Sequence, residues 1–350
     1  MKATPAPHSS VTMRDVAQRL GVSHMTVSRA LRQSPKVNES LRRKIQKVAE
    51  DMGYRPNAAA AALAHFRSTS KIKPIQAVLA WLNFWPEPKK LRETAIFEAL
   101  WQGAFGAAEA HGFRIEEFIC DKNLPPERLK RILNARGIQG IILPPQRPPI
   151  PQEKYDFDWD SFASVRLGHS VPYPPVHMIS HSQASDTLEA IQQIRAKGYR
   201  RIGFVTAKTI RAYSLFDAGY TKARATWPKK DQLPVLVLED WPTASPEVLE
   251  AVDTWMKKNR PDAVLSTEWV KHFLTKAGYR VPEDVAVAAT SVNISDADTG
   301  MCESPEEVGR AAVNVLVGLL QRGELGIPQF RHDILVRSVW QDGTSLPGRE

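Results

Sequence analysis

Between Ala77 and Ala289, short apolar runs alternate with longer stretches whose apolar residues recur at helical spacing. The runs "AVLAWL", "FRIEEFIC", "GIIL" and "SFASVRLG" are interleaved with "FEALWQGAFGAAEAHG" and "PPERLKRILNARG". A second series, "VHMIS", "RRIGFVT", "PVLVLE", "DAVLS" and "VPEDVAVAA", is interleaved with "QASDTLEAIQQIRAKG", "AGYTKARATW" and "SPEVLEAVDTWMKKN". Strands joined through helices run parallel, with right-handed crossovers. Two such series predict two α/β lobes, with ligands bound where strand ends meet the cleft.

The segment before this body has a different character. Residues 1–73 hold 14 Lys and Arg against 4 Asp and Glu, a net +10, and the remainder holds 33 against 34. A focused basic segment on a neutral body suggests a phosphate-binding module. The alternative is a solvated helical surface. No apolar run approaches the roughly 18 residues of a spanning helix. "MKATPAPHSS" lacks the apolar stretch of a signal peptide and reads as a disordered tail over residues 1–10. Cys120 and Cys302 form no CxxC pair, which suits a reducing cytosol. These features together predict a cytoplasmic protein with no membrane partner.

Within the basic segment, Thr12 and Asp15 have capping-box-like spacing, and Val16, Ala17 and Leu20 form one apolar face. Gly21 permits a sharp turn. Ser23 caps a second helix with Val27, Ala30 and Leu31 inside, and Asn38 caps a third. Leu41, Ile45, Val48 and Met52 give that third helix an amphipathic stripe. Three short helices with a tight first turn make an all-α helix-turn-helix domain over 11–56. Its second helix enters the major groove by its N-terminal residues. Ser23, His24 and Met25 stand at that tip, and Arg29 lies one turn on. Arginine can bond two guanine acceptors at once. Thr12, Thr26, Ser28 and Asn38 suit phosphate contacts.

The stretch "VTMRDVAQRLGVSHMTVSRALRQSPKVNESLRRKIQKVAEDMGYRPNAAAAALA" closely resembles the DNA-binding headpiece of the lactose-repressor (LacI) family of bacterial transcription regulators. The matching pieces are "VTMRDVAQRLGVS", "TVSRAL", "GYRPNA" and Leu63. The resemblance implies that His24, Met25 and Arg29 read the major groove. It implies that Thr12, Ser23, Thr26, Ser28, Asn38, Tyr54 and Asn57 hold the backbone. It also implies a hinge helix, here "NAAAAALAHF" within a hinge and linker over 57–74, which folds on DNA and inserts Leu63 into the minor groove. Polyalanine favours helix, but so short a stretch is marginal alone. Ala61 and Ala62 stand where polar or basic residues are frequent in the family.

Residues 75–350 resemble the two-lobed periplasmic-binding-protein-like effector domain of the same family, most closely in "GYRRIGFV" and "YRVPEDVAV". The resemblance places lobe crossings near Val171, Gly300 and Ile327. That gives an N-lobe of about 75–170 and 301–326 and a C-lobe of about 171–300 and 327–350. Helix 304–321 would return to the N-lobe. The pocket departs from the family pattern. Phe216 stands where sugar- and purine-binding members often carry Arg, and Ser291 where they often carry Asp. Thr267 and Glu268 replace the usual Asn-Asp pair. Trp81, Phe84, Trp85, Tyr213, Phe216, Trp241 and Trp269 stand near these positions, which allows a stacking pocket. The alternative for each aromatic is the core. Arg166 is an isolated charge in an apolar strand, either an anion anchor in the cleft or the partner of a carboxylate.

Other chemistries fit less well. Asp156, Asp158 and Asp160 have calcium-loop spacing, but Ser161 and Leu167 replace the required Gly and Glu. His177 and His181 lack further ligands at sensible spacing. Nucleophile-elbow, HExxH and P-loop patterns are missing, so no enzyme, metal or cofactor is expected. The expectation is a homodimeric regulator, a repressor by the family resemblance. It binds a pseudo-palindromic double-stranded DNA operator and responds to a small-molecule effector that the sequence does not name. The alternatives are a regulator whose pocket takes no ligand and a solute-binding protein.

Overall fold

A computed structural model describes residues 13–31, 37–52, 77–146, 157–170, 173–239 and 243–349. The chain divides into two compact units, one carrying the N-terminal helices and the other all the strands. No described helix is long and apolar enough to cross a membrane.

In the first unit, α1 (Met13–Leu20), α2 (His24–Leu31) and α3 (Glu39–Asp51) enclose a small core of Val16, Ala17, Val27, Ala30, Val37, Ile45 and Ala49. Gly21 sits at φ 65°, the left-handed conformation glycine adopts without steric cost. There the Val22 amide returns to the Ala17 carbonyl at 3.1 Å and closes α1.

In the second unit, the N-lobe chain order is β1 (Ala77–Asn83), α4 (Pro88–Glu93), α5 (Ala95–Ala110), β2 (Phe113–Ile119), α6 (Pro126–Ala135), β3 (Gly140–Leu143), β4 (Ala163–Leu167) and β5 (His177–His181). Then follow α7 (Gln183–Ala196), β6 (Ile202–Ala207), α8 (Lys208–Tyr213), α9 (Phe216–Arg224), β7 (Leu236–Leu238), α10 (Pro246–Asn259), β8 (Ala263–Ser266), α11 (Val270–Lys276), β9 (Ala286–Ala289) and β10 (Gly300–Cys302). The chain ends with α12 (Pro305–Arg322), β11 (Asp333–Val336) and β12 (Val339–Gln341).

The strands form two six-stranded sheets of equivalent order, β2-β1-β3-β4-β5-β11 and β7-β6-β8-β9-β10-β12. Every pairing is parallel except β10 with β12. Their buried strands are near-continuous apolar runs because helices cover both faces. In the second sheet, Phe204, Leu265 and Ala288 face the side of α7 and α9, while Val205, Val264 and Val287 face α10 and α11. In the first lobe, α5 and α12 meet at glycines. A Cβ on Gly103 would strike the Glu306 carbonyl, and one on Gly309 the Leu100 carbonyl.

The lobe boundaries differ from the expected ones at two crossings. Residues 177–181 lie in the first sheet, paired with β4 from Val165↔His177 to Leu167↔Ile179. Residues 333–336 extend the same sheet, paired with β5. The reason is backbone satisfaction at an open edge. The Met178 amide bonds the His332 carbonyl and the Ser182 amide bonds the Val336 carbonyl, each at 3.0 Å. The crossings therefore fall between β5 and α7, between β10 and α12, and between β11 and β12.

Candidate nucleic-acid interface and interlobe site

The α2 helix is built from two kinds of position. Val27 and Ala30 are fully buried, whereas Arg29 is exposed. Arg29 has no ion-pair partner among the described residues, so its guanidinium is available to a ligand. At the tip, the Ser23 hydroxyl accepts the Thr26 amide at 3.1 Å and lies 2.8 Å from the Thr26 hydroxyl. Both residues thus serve as the helix cap, as Asn38 does for α3 by accepting the Leu41 amide at 2.9 Å. The helix N-terminus between them offers amides suited to a phosphate. His24, Met25 and Ser28 lie on α2, and their side chains fall outside the described ones. Thr12, Tyr54, Asn57 and Leu63 also lie outside the described residues.

In the body, the carboxyl ends of the strands are where a ligand between lobes would be met. The second lobe presents Trp269 there, 61% exposed and fixed by an indole N–H bond to the Ile294 carbonyl at 2.7 Å. The neighbouring Glu268 is half-buried. Its carboxylate accepts the Thr267 hydroxyl at 3.1 Å, and its amide bonds the Ser266 hydroxyl at 2.9 Å. Phe216 opens α9 half-buried and packs against the lobe core. The side chain of Tyr213, and Trp241 altogether, lie outside the description.

The first lobe treats its aromatics differently. Trp81 is a core residue, correcting its assignment to the pocket. It is 1% exposed and packs edge-on to Trp101 at 5.2 Å, because β1 is covered on both faces. Phe84 is buried too. It joins Leu82, Cys120, Leu124, Leu129 and Phe157 around a cavity of about 310 Å³. Trp85 is half-buried, its indole N–H bonded to the Pro145 carbonyl at 2.9 Å. Buried Gln146 ties these ends together: its side-chain amide donates to the Leu82 and Pro144 carbonyls and accepts from the Phe84 amide. Arg166 is buried and forms no ion pair among the described residues.

A polar cluster occupies the crossings. Ser291, proposed from sequence as a ligand contact, instead donates to the Glu303 carboxylate at 3.0 Å. Burial pushes the Glu303 carboxyl up to about 7, against the pull of Ser291 and with the nearby Asp186 charge adding. His181 approaches it at 3.9 Å, and burial lowers that imidazole to about 4. Neither His181 nitrogen has a hydrogen-bond partner among the described residues. Asp186, at the start of α7, accepts the Ser338 hydroxyl at 2.7 Å and the Arg337 guanidinium at 3.2 Å, so the first and last crossings are tied. The sequence reading missed Gln146, Asp186 and Glu303. The one signal was an isolated acid, Glu303, directly after the run "GMC".

The weaker candidates resolve structurally. Asp158 caps a short turn through the Asp160 amide at 3.3 Å and pairs with Lys130 at 2.8 Å. His177 and His181 stand four positions apart on β5, about 13 Å along the strand, too far to share an ion. Among the described residues, no three His, Cys, Asp or Glu side chains converge as metal ligands.

Comparison with known proteins accords with this architecture. The family model "Bacterial regulatory proteins, lacI family" matches residues 12–57, and "Periplasmic binding protein-like domain" matches 191–339. Catabolite control protein A of Priestia megaterium is 44% identical, covering 94% of this chain and 98% of its own. The HTH-type transcriptional regulator RegA of Clostridium saccharobutylicum is 23% identical over 94% and 98%. Among solved structures, the lac repressor dimer bound to operator and the anti-inducer ONPF superposes with TM-score 0.55 at 18% identity, covering 97% of this chain and all of that one. A CelR–cellobiose complex superposes with TM-score 0.56 at 20% identity, covering 96% and 99%. The chain belongs to the lacI family of bacterial regulatory proteins, transcription regulators that join a helix-turn-helix DNA-binding headpiece to a periplasmic-binding-protein-like body.

Proposed function

We propose that two copies of this chain bind a pseudo-palindromic operator as a cytoplasmic repressor, and that a small molecule held between the lobes modulates binding. The observation that carries the DNA half is Arg29, exposed and without an ion-pair partner among the described residues, on a helix whose opposite face is buried. In this reading His24, Met25 and Arg29 contact base edges. Thr12, Ser23, Thr26, Ser28, Asn38, Tyr54 and Asn57 hold phosphates. Leu63, from the hinge of each copy, wedges the minor groove. Two half-sites suit two-fold partners, since one headpiece covers few bases. The effector half rests on Trp269, an exposed aromatic face locked in place at a strand end. Phe216 packs on core and Ser291 is engaged by Glu303, so simple hexoses and purines lack their usual anchors here.

The test is Leu63→Ala, with operator and random-DNA affinities measured at several salt concentrations. The expected result is a loss of roughly 10-fold or more on the operator, since the bend and added contact that the wedge permits more than repay the few kcal/mol of unstacking, with random-DNA binding nearly unchanged. Equal losses on both DNAs would make residues 57–74 a plain linker.

A further inference from the structure

Arg166 is the one charged side chain on β4, and it is only 6% exposed. The register sets its direction. Leu143, Arg166, Met178 and Asp333 are neighbours across four adjacent parallel strands, so their side chains share one face. Leu143 belongs to the apolar cluster with Phe157 and Phe162 on that face. The guanidinium reaches Met178 Sδ at 3.6 Å, a weak acceptor, while its Nε and Nη1 find no acceptor among the described residues. Ser164, two residues back and on the same face, is likewise buried with an unpartnered hydroxyl.

A guanidinium is a planar fork built for an oxyanion, and burying it unmatched is expensive. The natural counter-ion, Asp333, is bonded instead to Arg331 at 2.9 Å. His169, just beyond β4, adds a second nitrogen-bearing group. Burial, then the Arg166 charge, hold its imidazole below the usual range. Burial, then Arg331, act downward on Arg166 itself. The Asp333 charge acts upward on both groups, but its carboxylate is bonded to Arg331, so the Arg166 guanidinium keeps unmatched donors with no bonded acid among the described residues.

We propose that Arg166, with Ser164 and His169, forms an oxyanion-binding site in the first lobe that takes the carboxylate or phosphate group of a small molecule. The Arg166 fork would bind two oxygens, and the Ser164 hydroxyl would donate to the same group. The site faces away from the Trp81 side of the sheet and uses none of the residues assigned to base reading or to Trp269.

The test uses the full-length protein. All nine tryptophans lie at or beyond Trp81, so tryptophan fluorescence reports the body and is blind to anions bound by the basic headpiece. Thermal unfolding is followed in inorganic phosphate and in benzoate, each against chloride at equal ionic strength. Wild type should gain melting temperature saturably in at least one anion, and the two arms separate phosphate from carboxylate. Arg166→Met should fold at least as stably in chloride and weaken the apparent affinity at least tenfold. Ser164→Ala should weaken it a few-fold. A response to neither anion beyond chloride, or a response that survives in Arg166→Met, overturns the proposal. No DNA is present, and the deciding comparison is with Arg166→Met, which leaves Trp269 untouched, so the outcome does not depend on the operator or interlobe readings.

Discussion

On α2, Val27 and Ala30 have no exposure, while Arg29 between them stands in solvent. In the body, Trp81 is 1% exposed and Trp269 is 61% exposed, although both lie close to strand ends. The headpiece assigns a side chain to core or ligand by its position on one short helix. The body assigns it by which face of a sheet, and which helix over that face, the residue meets. Helical spacing alone therefore separates outward-facing residues from core in the headpiece. In the body, residue type carries little of that information. The following outcomes test how far the contrast holds.

The largest effect is expected at Arg29. Its loss should cost about 1–3 kcal/mol per half-site, so roughly 2–6 kcal/mol across a dimer, and should relax preference at one base pair. The side chain fills no core, so headpiece stability should change by less than about 0.5 kcal/mol. A randomised-site selection with Arg29→Ala checks both specificity and register. Full retention of operator preference would break the reading of α2 as the reader.

The next largest lies at the crossings. Asp186 is 2% exposed and accepts from the Ser338 hydroxyl and amide and from Arg337. Asp186→Ala leaves the buried Ser338 hydroxyl and amide unmet, while the exposed Arg337 turns to solvent, which should cost the body on the order of 2–3 kcal/mol. Denaturant unfolding followed by tryptophan fluorescence reads this directly. The isolated-helix signals of the headpiece, followed by amide NMR, should not move. A body midpoint unchanged within error would show that the crossings are held by something other than this carboxylate.

Legibility followed the same divide. The headpiece was readable because its determinants are local: a cap at Ser23, a left-handed Gly21, and a stripe ending at Met52. The β-α alternation likewise exposed two parallel sheets. Membership of a strand in one lobe or the other was not readable. The run 177–181 is buried on both faces and looks the same in either sheet. Only its pairing with β4 and β11, distant in sequence, assigns it. Aromatic type overstated the pocket, since Trp81 and Phe84 fill core and Phe216 leans on it. The meeting of His181 with Glu303 is a product of the crossings and has no local signature.

That meeting gives the body a pH dependence. The Glu303 carboxyl, raised to about 7, binds its proton more tightly folded than unfolded. Its contribution is complete below the unfolded value near 4.5 and is lost as pH rises through 7, a span worth about 3 kcal/mol. His181, lowered to about 4, works in the opposite sense: its contribution is present above 6.5 and lost as pH falls toward 4. Glu303→Gln should therefore match wild type near pH 5 and exceed it in stability by roughly 2–3 kcal/mol at pH 8. A variant that parallels wild type from pH 5 to 8 would place the titration elsewhere.

The smallest effect is the most selective. Trp269 already spends its one polar group on the Ile294 carbonyl, and most of its ring faces solvent. Removing it takes little from the core, so Trp269→Ala should change body stability by no more than about 0.5 kcal/mol. If the ring is the stacking platform for an effector, its loss should weaken binding by about 0.5–1.5 kcal/mol beyond the area it buries. Trp269→Phe should recover most of that, because a smaller face still stacks. The locked indole is what makes the comparison clean: the ring is held before any ligand arrives, so no ordering cost is hidden in the measured difference. A fluorescence screen of anionic and aromatic small molecules against wild type and both variants provides the measurement. Ligands that bind all three proteins equally would move the effector site off the second lobe's exposed strand end and return Trp269 to the ordinary exposed residues of the body.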